Sequence, residues 1–493
     1  MYYLGIDVGS SSVKLALVSM DTGAQKAVVQ QPKEEMGMHA AQKGWAEQEP
    51  LEWWECVRKG IAELISQEDV DPAMIKGIGI AYQMHGLVVV DASGTPLRPS
   101  IIWCDSRAVE IGNAAQKAIG AARCDASLLN APGNFTASKL KWVQQNEPDL
   151  YQKIHKFMLP GDFIAHQLSD EMNTTVSGLS EGVFWDFKKE RISEDILNEY
   201  GFSEDLFPEV VPTFSQQCKV SEKGAAATGL AVGTPILYRA GDQPNNALSL
   251  NVFEPGEVAS TGGTSGVIYA VTNTLSVKES SRVNNFAHVN HGKKDAPRIG
   301  KLMCVNGAGI LYRWLLNNLD VASYQEMNQL AGSVPIGAAG LTVIPFGNGA
   351  ERMLLNRDVG TRMVHLDLNR HTKAHLCRAA LEGIAFSFVY GMEIMKSDGI
   401  MPKVIRAGND NLYRSEIFSH TVATLLQEPI EIYDTTGAVG AARACAITQK
   451  GFDAFGAYLE NDHIMTHRPQ ANLAEYNKAY LRWKQELNLI LNN

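Results

Sequence analysis

Three familiar signatures are missing from this chain: it has no GxxxxGK[ST], no GxGxxG after its first apolar run and no HExxH. Their absence excludes a P-loop nucleotide site, leaves a dinucleotide fold unsupported and removes the commonest helical zinc motif. Cysteine is sparse, with residues at 56, 104, 124, 218, 304, 377 and 445. No two form a CxxC pair and their number is odd. That argues against a zinc site or a disulfide framework and for a reducing compartment. No apolar run reaches the ~18 residues that a membrane span requires. The opening "MYYLGID" reads as a strand with no basic stretch ahead of it, so no secretory signal is expected and a cytoplasmic location is. Positive charge is in the minority: 44 Lys and Arg stand against 54 Asp and Glu, a net charge of −10. Such a surface does not favour nucleic acid or an anionic membrane as a partner.

What is present fits a soluble globular protein, with 45% hydrophobic and 20% charged residues in a chain of 493. That length suits two large domains or three small ones. The expected division is residues 1–246, residues 247–450 and a helical tail over 451–493. The tail segment "NLAEYNKAYLRWKQELNLILNN" is amphipathic and is expected to pack back on either domain. "YYLGID", "VKLALVS" and "AVVQQ" predict a three-stranded meander, "PLEWWECVRKGIAELISQ" a helix, and "IKGIGIAYQ" and "GLVVVDASGTPL" strands. Residues 137–155 predict a helix broken near Pro148, and "TPILYRAGD" a strand ending in a loop.

The stretch "GIDVGSSSVKLALVS" sets Asp7 before a turn of Gly9, Ser10, Ser11 and Ser12, with Lys14 just beyond. It reads either as an ordinary β-hairpin or as a phosphate clip whose N–H groups face an anion while the acid manages a metal. Residues 263–271, "GTSGVIYAV", echo residues 9–17, "GSSSVKLAL": Gly263, Thr264 and Ser265 match Gly9, Ser10 and Ser11. The echo suggests a duplicated domain with a phosphate hairpin in each half. A third glycine turn, "VIRAGNDN" with Gly408 and Asn411, precedes a helical run and reads as a nucleotide site at a helix N-terminus or as a plain strand-to-helix turn.

Together these segments resemble the FGGY carbohydrate kinases. "GIDVGSSSVK" is similar to that family's first phosphate hairpin and "STGGTSGV" to its second. "TASKLKWVQQN" and "HLCRAALEG" resemble its two signatures, and "AGDQPNNALSL" the segment that holds its catalytic Asp. Within the family, "QMHG", "IIWCDSRA" and "SGLSEGVFWDF" resemble the D-xylulose kinases. Two departures stand out: the adenosine loop "AGNDNLYRSE" has fewer glycines than usual, and no proline follows Glu351 and Arg352.

The resemblance implies an α/β, two-domain actin/hexokinase-like ATPase (ribonuclease H-like) fold with an interdomain cleft. It also implies ATP and Mg²⁺ and transfer of a phosphoryl group to a ketopentose. A homodimer is a family-level expectation. Asp242 becomes the general base, against an N-cap on the residues alone, and an ordinary carboxyl pKa of ~3.9 serves that role. Asp7 becomes the Mg²⁺ residue, acting through water. Ser10, Ser11, Ser12, Lys14, Gly263, Thr264, Ser265, Gly309, Gly408 and Asn411 are the implied nucleotide contacts. Met84, His85 and Gln243 are the implied sugar contacts. Trp103, Asp105 and Arg107 read as a sugar-binding loop or as a buried Arg–Asp pair beneath it. Kinases for L-ribulose or a polyol, and an actin-like ATPase without a sugar, are the alternatives.

Overall fold

The computed structural model describes residues 1–292 and 296–492. Two sheets organise the chain. The first contains β1 (Tyr2–Val8), β2 (Val13–Ser19), β3 (Gln25–Gln31), β4 (Ile75–Tyr82), β5 (Phe214–Lys219) and β6 (Pro235–Gly241), in the order β5-β6-β4-β1-β2-β3. The second contains β7 (Glu257–Gly262), β8 (Gly266–Thr272), β9 (Asn284–Ala287), β10 (Ile299–Val305), β11 (Val404–Gly408), β12 (Ile430–Tyr433) and β13 (His463–His467), in the order β9-β10-β8-β7-β11-β12-β13.

The short sequence echo sits at equivalent places in these sheets. In the first, β1 runs antiparallel to β2 and parallel to β4, and β4 runs parallel to β6. In the second, β7 runs antiparallel to β8 and parallel to β11, and β11 runs parallel to β12. The quintets β3-β2-β1-β4-β6 and β10-β8-β7-β11-β12 therefore share one strand order and one pattern of directions.

Strand β1 is buried along nearly its whole length, as a strand covered on both faces should be. Helix α1 (Pro50–Glu68) packs against β2 and β3, its Trp53, Val57, Ile61 and Leu64 turned inward. Helix α2 (Thr136–Asn146) carries the buried Lys139, and the short helix α3 (Val176–Glu181) follows. Helix α4 (Asp242–Ser249) starts directly at the end of β6, where the sequence predicts a loop. The strand expected across "GLVVVDASGTPL" is confined to Val88–Val90. Helix α5 (Gly309–Asn318), helix α6 (Lys373–Ser397) and helix α7 (Glu416–Leu426) belong with the second sheet.

Helix α8 (Gly437–Lys450) packs on β1 and β4 of the first sheet and on α4, although it follows the second sheet's β12. The approach is close because Gly5 and Gly79 lack side chains. A Cβ on Gly5 would lie 1.8 Å from the Ala438 carbonyl oxygen, and one on Gly79 1.9 Å from that of Ala441. Gly79→Ala is therefore expected to cost about 3 kcal/mol, because backbone rather than a flexible side chain must move. A melting temperature equal to the parent's would show that α8 seats elsewhere. The C-terminal helix α9 (Leu473–Asn492) packs on the second unit, where the buried Trp483 indole donates to the Val343 carbonyl at 2.9 Å.

Among the described residues no helix is long and apolar enough to cross a membrane.

Candidate active site

Parallel pairing brings the first set of chemical groups to one edge. Asp7 pairs with Ala81, and Tyr82 pairs with both Val8 and Gly241. Asp7, the segment Gln83–His85 and Asp242 thus meet at the carboxyl ends of β1, β4 and β6, where open α/β sheets place their ligands.

The turn after β1 is held by Gly9 N–H donating to the Ser12 carbonyl at 3.1 Å and Met36 N–H to the Ser11 carbonyl at 2.8 Å. Gln48 Nε2 donates to the Ser10 carbonyl at 2.7 Å, and Trp103 Nε1 to Ser10 Oγ at 3.4 Å. Among the described residues no backbone acceptor takes the N–H groups of Ser10, Ser11 or Ser12. Those groups are what a phosphate clip needs. The Ser11 hydroxyl is turned away, donating to Glu35 at 2.9 Å. Lys14 sits opposite Asp7 on β2 and is exposed.

Burial raises the Asp7 carboxyl above its ordinary value, and Lys14 lowers it. Its Oδ2 also faces the start of α8: a Cβ on Gly437 would fall 2.4 Å from it. The N-terminal dipole of α8 favours anions there, with Thr436 Oγ1 accepting from Val439 N–H at 3.3 Å. Among the described residues no cluster of three or more His, Cys, Asp or Glu forms a metal cage. One hard carboxylate at a phosphate turn nevertheless fits Mg²⁺, which keeps most of its ligands as water and substrate phosphate.

Asp242 is not the N-cap of its helix. Gly241 takes that place, no side chain caps the helix, and Asp242 is the first helical residue. Burial and the nearby Asp7 charge push its carboxyl up to about 7, opposed by the backbone and side-chain amides of Gln243. The ordinary pKa expected from sequence is thus corrected: the group is recessed beside a second acid, and both effects disfavour its charged form.

His85 has φ +61°, in the left-handed region. Its Nδ1 lies 3.0 Å from the Glu181 carbonyl oxygen. A carbonyl only accepts, so Nδ1 carries the proton and Nε2 presents a bare lone pair. Burial lowers the His85 pKa to about 3, so the ring is neutral. The His85 carbonyl accepts from Lys139 Nζ at 2.8 Å, and the same ammonium donates to the Ile102 carbonyl at 2.9 Å. Lys139 therefore ties the two candidate sugar loops together. Met84 is buried, and a Cβ on Gly241 would meet its Cγ at 2.6 Å.

The loop Trp103–Arg107 divides. Trp103 is 54% exposed and open to a ligand. Asp105 is wholly buried and both its oxygens are taken. Oδ1 accepts from Arg107 N–H at 2.8 Å, and Oδ2 from Ala46 N–H at 2.6 Å and Arg107 Nη2 at 2.7 Å. The Arg107 guanidinium lies 3.7 Å over Trp45 and 4.8 Å over Trp142. Asp105 is thus corrected from a sugar contact to a buried partner of Arg107, with no lone pair facing a pocket.

In the second sheet, Thr264 and Ser265 form the exposed tip of the β7–β8 hairpin, and no backbone acceptor among the described residues takes their N–H groups. Gly263 accepts from Gly309 N–H at 3.1 Å and Thr264 from Ile310 N–H at 2.9 Å. Gly309 thus braces the hairpin, since its N–H is engaged and a Cβ would lie 2.3 Å from the Gly263 oxygen. Glu351, unassigned in the sequence reading, shapes the segment before it by accepting from Asn306 N–H at 3.0 Å and Gly307 N–H at 2.7 Å. Gly408 closes β11, with no atom nearer than 3.9 Å to a Cβ built on it. Asn411 opens a single 3₁₀ turn, Asn411–Arg414, and its side chain lies outside the described residues. Helix α7 starts only at Glu416 and is capped by Ser415, so the third glycine turn does not run straight into a helix N-terminus.

The sequence reading also missed Glu181. It is 1% exposed, its Oε1 has no hydrogen-bond partner among the described residues, and burial together with the Asp242 and Asp162 charges holds its carboxyl well above the usual range.

Comparison with known proteins identifies the family and the fold. Residues 2–249 match the N-terminal domain of the FGGY family of carbohydrate kinases and residues 258–448 its C-terminal domain. A xylulose kinase of Escherichia coli is 27% identical over 445 residues, covering 90% of this chain and 88% of its own. The crystal structure of a xylulose kinase from Rhodospirillum rubrum superimposes with a TM-score of 0.87 at 25% identity over 100% of both chains. A Plasmodium falciparum glycerol kinase solved with ADP shares the fold at a TM-score of 0.88, 20% identity, and 99% and 98% coverage. The architecture is the two-domain actin/hexokinase-like ATPase fold. With both domain profiles matched across nearly its whole length, the chain belongs to the FGGY family of carbohydrate kinases.

Proposed function

We propose that this carbohydrate kinase transfers the γ-phosphoryl group of ATP to a hydroxyl of a ketopentose, D-xylulose first among them. The observation that carries the reading is Asp242, a recessed acid at the start of α4 on the same sheet edge as Met84 and His85. The E. coli and R. rubrum proteins of similar sequence, both named xylulose kinases, support the choice of sugar. The proposed division is residues 1–246 for the sugar and the first hairpin, residues 247–450 for the nucleotide, and residues 451–493 as the tail.

In this reading His85 Nε2 accepts from a sugar hydroxyl, while Gln243 and Trp103 border the same ligand. Asp242 takes the proton of the attacking hydroxyl as it approaches phosphorus. Ser10, Ser12 and the Thr264–Ser265 tip offer N–H groups to the phosphates from opposite units, and Gly408 leaves room for the nucleoside. Asp7 would hold Mg²⁺ through water, and the ion would neutralise charge on the transferring phosphate. Phosphoryl transfer asks mainly for alignment and charge neutralisation, which this arrangement can provide.

ADP release measured with D-xylulose, D-ribulose, L-ribulose and glycerol tests the choice of substrate. D-xylulose is expected to give the highest kcat/KM. A polyol or L-ribulose preferred over it would overturn the assignment while leaving the kinase family intact.

A further inference from the structure

We propose that Glu181 is a sugar-binding residue whose carboxyl group hydrogen-bonds a sugar oxygen in the pocket between His85 and Asp242. The inference rests on the ketose-kinase reading above and adds a residue to that site. Three observations carry it. The Glu181 carbonyl fixes the His85 ring at 3.0 Å, so the residue is anchored to one wall of the pocket. Its side chain reaches the other wall, because a Cβ on Gly241 would lie 2.5 Å from Glu181 Oε2 and 2.6 Å from Met84 Cγ. Gly241 immediately precedes Asp242, so the absence of a side chain there opens the space that the carboxyl occupies. Finally, Glu181 is 1% exposed yet Oε1 has no hydrogen-bond partner among the described residues. An unpartnered buried polar atom is costly, and a ligand that completes its hydrogen bonding removes that cost.

The surroundings determine what the group offers. Burial first, then the Asp242 and Asp162 charges, raise its carboxyl well above the usual range, against an opposing hydrogen bond with Tyr82. Of the cations around it, Lys139 interacts with it electrostatically but donates to the His85 and Ile102 carbonyls, and Arg239 is engaged by Asp162 at 2.8 Å and by Asn173 Oδ1 at 2.7 Å. That upward direction favours the protonated form of Glu181, in which the carboxyl donates. His85 Nε2 can only accept, so the two residues offer complementary partners to a polyhydroxylated ligand, and the donor suits the carbonyl oxygen of a ketose, which can only accept.

The test compares Glu181→Gln, which keeps a donor, with Glu181→Met, which keeps length without one. In the full-length protein, E181M is expected to raise the sugar KM by about 10–100-fold and leave the ATP KM unchanged. E181Q is expected to stay within a few-fold of the parent in both. An unchanged sugar KM in E181M, or a parallel rise in both constants, would overturn the proposal. Should E181M lack a cooperative melt, infrared difference spectra decide. Sugar binding is expected to shift a protonated-carboxyl band in the parent that is missing from E181Q, and no such band in the parent overturns the proposal. Failure of the underlying reading looks different, since the parent itself would then form no ADP with any ketose.

Discussion

Asp242→Asn is expected to leave the protein folded and able to bind both substrates while lowering ketose-dependent turnover by about 10²–10⁴-fold, the usual contribution of a general base. Asn has nearly the same shape and starts the helix equally well, but it cannot take the hydroxyl proton. Stability should move the other way. The Asp242 carboxyl stands at about 7 in the folded protein against 3.8 when unperturbed, so the folded state holds its proton more tightly. As pH rises from 3.8 towards 7, the unfolded chain ionises first and the folded state loses stability; above 7 the loss is complete. The Asn variant escapes this loss. Its melting temperature without ligands is expected to exceed the parent's at pH 8 and to converge with it near pH 4. Turnover within a few-fold of the parent would remove Asp242 from the mechanism.

Asp7→Ala is expected to cut Mg·ATP-dependent turnover on the order of 10²-fold or more while sparing sugar binding. The carboxylate sits between the first hairpin and the start of α8, where a Cβ on Gly437 would meet its Oδ2 at 2.4 Å. Among the described residues no hydrogen bond or ion pair joins it to His85 or Met84. Calorimetry with the sugar alone should therefore give a dissociation constant close to the parent's, and extra Mg²⁺ should recover part of the lost turnover. Sugar affinity falling as far as turnover would contradict the assignment of Asp7 to the metal.

The parts of this site that were legible in the sequence are those built from local chemistry. The turns at Gly9–Ser12 and Gly263–Ser265 each read alone as an ordinary hairpin as readily as a phosphate clip, but their likeness to each other anticipated the matching strand order of the two sheets. Asp242 stands out through the resemblance of "AGDQPNNALSL" to the family's catalytic segment, whereas its local pattern alone reads as an N-cap. Residues whose role depends on distant partners were not. Asp105 resembles a ligand-facing acid in one dimension, but Arg107 and the Ala46 N–H enclose it. Gly309 looks like a phosphate-loop glycine, yet it is needed for close approach to Gly263. Glu181 lies in a short segment with no charge pattern around it, and only the meeting of α3 with the end of β6 gives it meaning. Helix α8 follows strands of the second sheet and packs on the first, a crossing that no local pattern announces.

The central claim is that a phosphoryl group passes from ATP to a sugar hydroxyl with Asp242 as the base. The most direct measurement is ³¹P NMR of the parent and the Asp242→Asn variant, each incubated with Mg·ATP and D-xylulose. The account predicts that the parent converts the γ-phosphate signal into a sugar phosphate monoester in step with ADP, and that the variant forms almost none. Inorganic phosphate released from ATP at the same rate with or without the sugar would contradict it, leaving an ATPase on this fold rather than a sugar kinase.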